Sequence, residues 1–123
     1  MMDRSQDGPV TTLTLNRADK ANALTATMLS DLADAVEGVR DARALILTGA
    51  GKVFSAGMDL EAAQSGLATA PVWERLSGAI AAFPGLSIAA LNGTVAGGAM
   101  GMVLACDIRI AVPSAKFFYP VMK

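Results

Sequence analysis

The sequence predicts an α/β fold with mostly parallel strands, and two observations indicate it. Short apolar segments typical of strands alternate with segments whose apolar residues recur every three or four positions, as in helices. Glycine-rich turns, at 49–59 and 92–97, follow two of the predicted strands. Because strands that alternate with helices form βαβ units, neighbouring strands are expected to run parallel. Ligands bind such folds where loops leave the carboxyl ends of the strands.

The first third of the chain predicts a strand, a loop and a helix. Val10–Leu15 alternates apolar and polar residues, as a half-buried strand does. The polar residues 16–22 follow as a loop, and Thr25 is suited to cap a helix that runs to about Arg40. The buried face of this helix is predicted from its three-and-four spacing to comprise Leu29, Leu32, Ala33, Val36 and Val39.

The middle of the chain predicts a second strand and two helices. Ala44–Thr48 carries apolar residues throughout, which suits a strand covered on both faces. After the turn at 49–59, Asp59 is placed to cap a short helix from Leu60, and Pro71 to begin another helix. The inner face of that second helix is predicted to comprise Val72, Leu76, Ala79, Ile80 and Phe83.

The last third predicts two further strands separated by a turn and a helix. Leu86–Leu91 is predicted as a third strand and Asn92–Gly97 as a turn. A helix over Gly98–Cys106 and a strand over Asp107–Val112 follow, and residues 113–123 begin in an extended form. Nothing in the chain indicates an internal repeat or a linker, so we expect one domain over residues 1–123.

Composition excludes several classes of function. The 123 residues are 53% hydrophobic and 17% charged, which is enough apolar character for a packed core. Ten basic residues face eleven acidic ones without a basic block, so no nucleic-acid partner is expected. The chain has no histidine and one cysteine, Cys106. Ser-His and Cys-His catalysis are therefore excluded, and no metal site is expected.

One stretch has the length of a membrane span. Leu86–Cys106 is mostly apolar, but the turn pair Asn92-Gly93 interrupts its middle. The first ten residues lack the apolar region of a secretory signal. We therefore expect a cytoplasmic protein with no membrane partner, and a transmembrane helix is the alternative that rests on this stretch alone.

Two nucleotide-binding motifs are absent from the first glycine-rich turn. The stretch GAGKVF begins like G-x-G-x-x-G, but Phe54 stands where the third glycine belongs. A P-loop requires serine or threonine after Gly51-Lys52, and this chain has Val53 there. The glycines of this turn must therefore serve another purpose.

The backbone of the two glycine-rich turns offers a different chemistry. A helix that opens at Gly98 presents unpaired N–H groups and a partial positive charge. The turn before Asp59 presents N–H groups in the same way. Two turns from adjacent parallel strands can aim one N–H each at a single carbonyl oxygen, which is the arrangement of an oxyanion hole. The alternative is that these glycines only permit tight turns between strand and helix.

Four segments carry a family resemblance, and they cover most of the chain. They are NRADKANAL (16–24), LILTGAGKVFSAGMDL (45–60), SIAALNGTVAGGAMGMVLACDIRIA (87–111) and SAKFFYP (114–120). In this order and spacing they resemble the crotonase superfamily of enoyl-CoA hydratases and isomerases.

The resemblance implies a crotonase-like spiral of ββα and βαβ units, and an acyl-CoA thioester substrate with no separate cofactor. It also implies a homotrimer or a dimer of trimers. Residues 1–123 correspond to the N-terminal core of the family, without its C-terminal part and helical trimerisation region. The resemblance places the two oxyanion-hole N–H groups on Met58 and Gly98. Residues expected to line the substrate site are Ala23, Leu24, Ala56, Asp59, Leu60, Gly97, Gly101, Pro120 and Val121.

The sequence departs from the resemblance at the two acid/base positions. Hydratases of the family carry glutamates where this chain has Gly101 and, directly after Pro120, Val121. Hydration of a double bond requires a proton donor and a base on water. Isomerase, lyase or hydrolase chemistry is therefore favoured over standard hydration. The alternative is a non-catalytic acyl-CoA binding or carrier protein on the same fold.

Other side chains near the expected site each have two interpretations. Asp59 is the best acid in the chain for this site, although capping the following helix is its simpler role. Trp73 either faces the acyl pocket or packs in the core. Arg17, Lys20 and Lys52 are loop cations that are either solvated or placed to meet the phosphates of CoA.

Overall fold

A computed structural model describes residues 1–118 of the chain, and Pro120 and Val121 lie outside them. The described strands form two sheets. In chain order the strands are β1 (Met2–Asp7), β2 (Val10–Leu15), β3 (Ala44–Gly49), β4 (Val53–Ser55), β5 (Leu86–Leu91), β6 (Thr94–Ala96), β7 (Ile108–Ala111) and β8 (Phe117–Phe118). The predicted strands over 10–15, 44–48, 86–91 and 107–112 are all confirmed to within a residue or two.

The helices also follow the prediction closely. They are α1 (Ala26–Gly38), α2 (Leu60–Gln64), α3 (Val72–Ala81) and α4 (Ala99–Ala105). Helix α1 begins as predicted after Thr25, whose hydroxyl accepts a hydrogen bond from the Met28 N–H at 3.2 Å. Helix α3 begins one residue later than predicted. Pro71 is its N-cap residue and has a φ of −64°.

The larger sheet has the strand order β1-β2-β3-β5-β7, and all of its pairs except β1 with β2 are parallel. The smaller sheet, β4-β6-β8, is parallel throughout. The prediction of an α/β fold with mostly parallel strands is therefore confirmed.

One face of the larger sheet packs against α1 and α3. The predicted inner face of α1 is buried at every position. On α3, Leu76 and Ile80 are buried, whereas Val72 and Ala79 are only half-buried. Arg75 ties α3 to α1, since its guanidinium bonds the carboxylates of Asp34 at 2.6 Å and Glu37 at 2.7 Å.

The prediction that the strand at 44–48 is covered on both faces is wrong. Leu45 and Leu47 are buried in the core, whereas Ala44, Ile46 and Thr48 are only half-buried. Within residues 1–118, the helices cover this strand on one face. An apolar run therefore does not by itself tell how many faces of a strand are covered.

Strands β1, β4 and β6 were not predicted, and the two shortest of them lie inside segments that the sequence predicts as turns. Strand β1 is polar and exposed, and it exists because Gly8 turns the chain so that β1 pairs with β2. Strands β4 and β6 have three residues each and lie inside the predicted turns 49–59 and 92–97. Such short strands show no periodicity, and only their pairing defines them.

The apolar stretch Leu86–Cys106 folds as β5, β6 and α4. Its longest helix has seven residues. The transmembrane alternative for this stretch is therefore wrong. Across residues 1–118, every helix falls short of the length and hydropathy needed to cross a bilayer.

Candidate active site

The two glycine-rich turns lie side by side in the structure. Strands β4 and β6 are parallel neighbours, with Val53 opposite Thr94 and Ser55 opposite Val95. Both strands therefore end at the same edge of the small sheet. Gly57 follows β4 with a φ of +97°, and Gly97 follows β6 with a φ of +57°.

No side chain separates the two turns. A Cβ built on Gly57 would lie 2.9 Å from the carbonyl oxygen of Ala96 and 3.5 Å from the Cα of Gly97. Position 57 therefore requires glycine, both for its left-handed φ and for the close approach of the two backbones. Met58 and Gly98 directly follow these glycines. Within residues 1–118, their N–H groups donate to no acceptor.

Ser55 holds the first turn in place. Its buried hydroxyl donates to the carbonyl oxygen of Asn22 at 2.8 Å and accepts from the Gly57 N–H at 3.1 Å. Both functions of the hydroxyl are used, so Ser55 serves the structure rather than the chemistry. It links the loop at 16–22 to the turn that presents Met58.

Two asparagines anchor the start of β4, and the sequence analysis missed both. The Asn22 amide donates to the carbonyl oxygens of Val53 at 2.9 Å and Ala50 at 3.0 Å, and its oxygen accepts from the Arg17 N–H. The Asn92 amide also donates to Val53, at 3.2 Å. Asn22 is fully buried with a φ of +53°. An asparagine in a polar loop gives no sequence signal that distinguishes such a role.

A first cleft, here called the glycine cleft, opens beside the two turns. It has a volume of about 640 Å³ and lies between α3 and the start of α4. Its lining residues are Met58, Ala68, Thr69, Ala70, Trp73, Glu74, Ser77, Gly97, Gly98 and Gly101. The positions predicted for the oxyanion hole, together with Gly97 and Gly101, are therefore brought to one cavity.

Trp73 lines the glycine cleft and is also packed against the hydrophobic core. Its indole N–H donates to the carbonyl oxygen of Leu67 at 2.7 Å, which orients the ring. A Cβ on Gly98 would lie 2.8 Å from the Cη2 atom of this ring. The indole therefore excludes a side chain at position 98 and forms the wall opposite it.

A second cleft, here called the charged cleft, lies on the other side of Met58. It has a volume of about 330 Å³. Its lining residues are Arg17, Lys20, Ala23, Met58, Asp59, Leu60 and Glu61. Met58 lines both clefts, so the two cavities adjoin at the residue predicted to supply one oxyanion-hole N–H.

Asp59 is occupied by structural contacts. Its carboxylate accepts from the Ala62 N–H at 3.1 Å, which caps α2, and from the Arg17 guanidinium at 2.8 Å. The Ala62 N–H and the Arg17 cation lower the pKa of the Asp59 carboxyl below its ordinary value of 3.8. Asp59 also lines the charged cleft and not the glycine cleft. The capping role is confirmed, and the structure gives no support to Asp59 as the acid of the glycine cleft.

The remaining predicted site residues are placed as follows. Ala23 and Leu60 line the charged cleft. The Leu24 side chain is fully buried, and its backbone bonds the Met58 turn through the Gly57 carbonyl and the Asp59 N–H. Leu24 therefore supports the site from beneath. Ala56 is exposed and lines neither cleft.

Comparison with known proteins now identifies the family. The sequence profile described as "Enoyl-CoA hydratase/isomerase" matches residues 5–123. The chain belongs to the enoyl-CoA hydratase/isomerase family. It is 39% identical over 122 residues to the "Probable enoyl-CoA hydratase EchA14" of Mycobacterium tuberculosis, which covers 92% of this chain and 47% of that protein.

Solved structures of other proteins have the same fold. DspI of Pseudomonas aeruginosa superposes with a TM-score of 0.89 at 33% identity, over 97% of this chain and 52% of that one. An enoyl-CoA hydratase of Mycobacterium avium subsp. paratuberculosis superposes with a TM-score of 0.85 at 31% identity, over 94% and 48%. The predicted crotonase-like fold is confirmed. The chain spans about half the length of these relatives.

Proposed function

We propose that the chain forms the thioester-binding half of an acyl-CoA enzyme. The N–H groups of Met58 and Gly98 bind the thioester oxygen and stabilise the negative charge that develops on it. The backbone contact between Gly57 and Gly97, at the shared edge of two parallel strands, carries this proposal. Met58 and Gly98, which follow these glycines, both line the glycine cleft.

The two clefts divide the substrate between them. The glycine cleft suits the acyl group, because glycines, alanines and one indole dominate its walls. The charged cleft suits the phosphate-bearing part of CoA, because it contains the exposed cation Lys20. Arg17 contributes less, since Asp59 already neutralises its guanidinium. The thioester itself then lies at Met58, where the clefts adjoin.

The proposed reaction is isomerisation, lyase chemistry or hydrolysis of an acyl-CoA rather than standard hydration. At position 101 the cleft presents a glycine, so no carboxylate enters it from α4. The same glycine favours a second candidate, a non-catalytic acyl-CoA carrier. The homotrimer or dimer of trimers and the cytoplasmic location stay predictions.

Calorimetry on the full-length protein tests the proposed thioester contact by comparing the affinities of ligands with and without the thioester oxygen. We expect butyryl-CoA to bind more tightly than S-butyl-CoA, a thioether that has the same chain without the carbonyl oxygen. Two hydrogen bonds at about 0.5–1.5 kcal/mol each correspond to roughly 5- to 150-fold in Kd. Free CoA serves as the control for the charged cleft and binds more weakly than either. Equal affinities for the thioester and the thioether would contradict the oxyanion-hole assignment.

A further inference from the structure

Among the described residues that line the glycine cleft, Glu74 is the one with an ionisable side chain. Asp59 is, from the sequence, the best acid in the chain for this site, with helix capping as its simpler role, but it lines the other cleft. Glu74 comes directly after Trp73, whose indole lies against Gly98. Among the described residues, the carboxylate that lines this cleft therefore comes from α3.

The position of Glu74 on α3 directs it toward α4. Residues three apart on a helix lie on the same face, and Glu74 and Ser77 are related in this way. A Cβ built on Gly101 would lie 3.6 Å from the Ser77 hydroxyl oxygen. Helix α3 thus presents this face directly to the glycine at position 101, across a cleft that both helices line.

The Glu74 carboxylate has no bonding partner among the described residues. Within residues 1–118 it makes no hydrogen bond and no ion pair, and it is exposed. Two other acids near α3 and the turns, Glu37 and Asp59, differ in this respect. Glu37 is paired with Arg75, and Asp59 with Arg17. A carboxylate that lines an apolar cleft without a partner is available to a ligand.

We propose that Glu74 is the proton-transfer residue of this site and acts at the α-carbon of the acyl group. The inference rests on the proposed function, because it requires the thioester oxygen to be held by Met58 and Gly98. The C–H bond at the α-carbon breaks, and its electron pair becomes the enolate whose oxygen the two N–H groups stabilise. The proton moves to an oxygen of the Glu74 carboxylate and returns to carbon when the enolate collapses.

A catalytic carboxylate on α3 explains why α4 can carry a glycine at position 101. Where the resemblance expects a carboxylate from α4, the present chain opens the cleft on that side and supplies a carboxylate from the opposite wall. The carboxylate comes from α3 instead of α4, and it still shares one cavity with Met58 and Gly98. The simpler alternative is that Glu74 serves only as an acid in the first turn of α3, where it interacts favourably with the helix dipole.

Deuterium exchange separates these interpretations without knowledge of the net reaction. Full-length protein is incubated with butyryl-CoA in D₂O, and loss of the α-proton signal is followed by NMR. We expect Glu74→Gln to lower the exchange rate by roughly 10²- to 10⁴-fold while the Kd for butyryl-CoA changes little. Glu74→Asp retains the carboxylate and is expected to keep part of the rate. Asp31→Asn, an exposed acid on α1 outside both clefts, is the matched control for loss of one charge.

Two results would overturn the inference. The first is a Glu74→Gln protein that exchanges at the rate of the unmodified protein. The second is an unmodified protein that does not exchange at all. In either case, a preference for butyryl-CoA over its thioether would leave the proposed thioester site standing. Failure of the two proposals is therefore distinguishable.

Discussion

The glycine cleft and the charged cleft adjoin at Met58, yet opposite kinds of residue form them. The glycine cleft is shaped by missing side chains, at Gly97, Gly98 and Gly101, and one indole defines its far wall. The charged cleft contains four ionisable side chains in a smaller volume. Two of these, Arg17 and Asp59, bond each other and hold a loop to a helix.

The difference teaches that the density of charged groups in a cleft does not indicate which of those groups are free to contact a ligand. Two of the four ionisable side chains in the charged cleft bond each other and stabilise the fold. The single carboxylate of the glycine cleft makes no hydrogen bond or ion pair within residues 1–118. Removing a group that has structural partners destabilises the fold, whether or not that group takes part in catalysis. A group without partners is the better candidate for a ligand.

The largest expected effect is a loss of stability when the close contact between the two glycine-rich turns is disturbed. Gly57→Ala and Gly97→Ala both force alanine into a left-handed φ, which costs about 1–2 kcal/mol. Only the first also pushes a Cβ to 2.9 Å from the Ala96 oxygen, whereas at Gly97 the nearest atom is 3.8 Å away. Urea denaturation should show the greater loss of unfolding free energy for Gly57→Ala. Equal losses would mean that the two turns do not depend on this contact.

A smaller effect is expected for the exposed cation of the charged cleft. Lys20→Ala should weaken the binding of free CoA by roughly 1.4- to fivefold, the range expected when an exposed ion pair of about 0.2–1 kcal/mol is lost. The weakening should shrink at high salt, because such pairs are screened. Lys52→Ala is the matched control, since Lys52 is exposed in the first glycine-rich turn and lines neither cleft. If both variants weaken binding alike, the CoA phosphates do not lie in the charged cleft.

The smallest effect is a pH dependence of stability. The pKa of Asp59 is lower in the folded protein than its ordinary value of 3.8, so the folded state favours the ionised form. Its stabilising contribution is fully present above about pH 3.8 and disappears as the pH falls through the lower folded pKa. Asn keeps the helix cap but not the charge. The difference in Tm between the natural protein and Asp59→Asn should therefore be present at pH 6 and fade below pH 3.8. A difference that stays constant over this range would mean that the Arg17 pair does not stabilise the fold.

Local patterns in the sequence were sufficient for the helices and for the apolar strands β2, β3, β5 and β7. Every residue predicted for the inner face of α1 is buried, because three-and-four spacing and the Thr25 cap depend only on neighbours along the chain. Met28 and Ala35 are buried as well and were not predicted. The parallel strands β3 and β5 were predicted from short apolar runs. The motifs at 45–60 and 87–111 also predicted the family, since their order and spacing are properties of the sequence alone.

Tertiary structure alone decided the parts of the site that depend on distant residues. Strands β4 and β6 are too short to show a period, and they exist because each pairs with the other about 40 residues along the chain. Their pairing brings Gly57 against Gly97. The contacts that hold Asp59 were decided in the same way. Asp59 is the acid nearest to Met58 in sequence, but α2 and Arg17 hold it in the charged cleft. Glu74 reaches the glycine cleft because α3 packs beside α4, and no pattern within α3 encodes that neighbour.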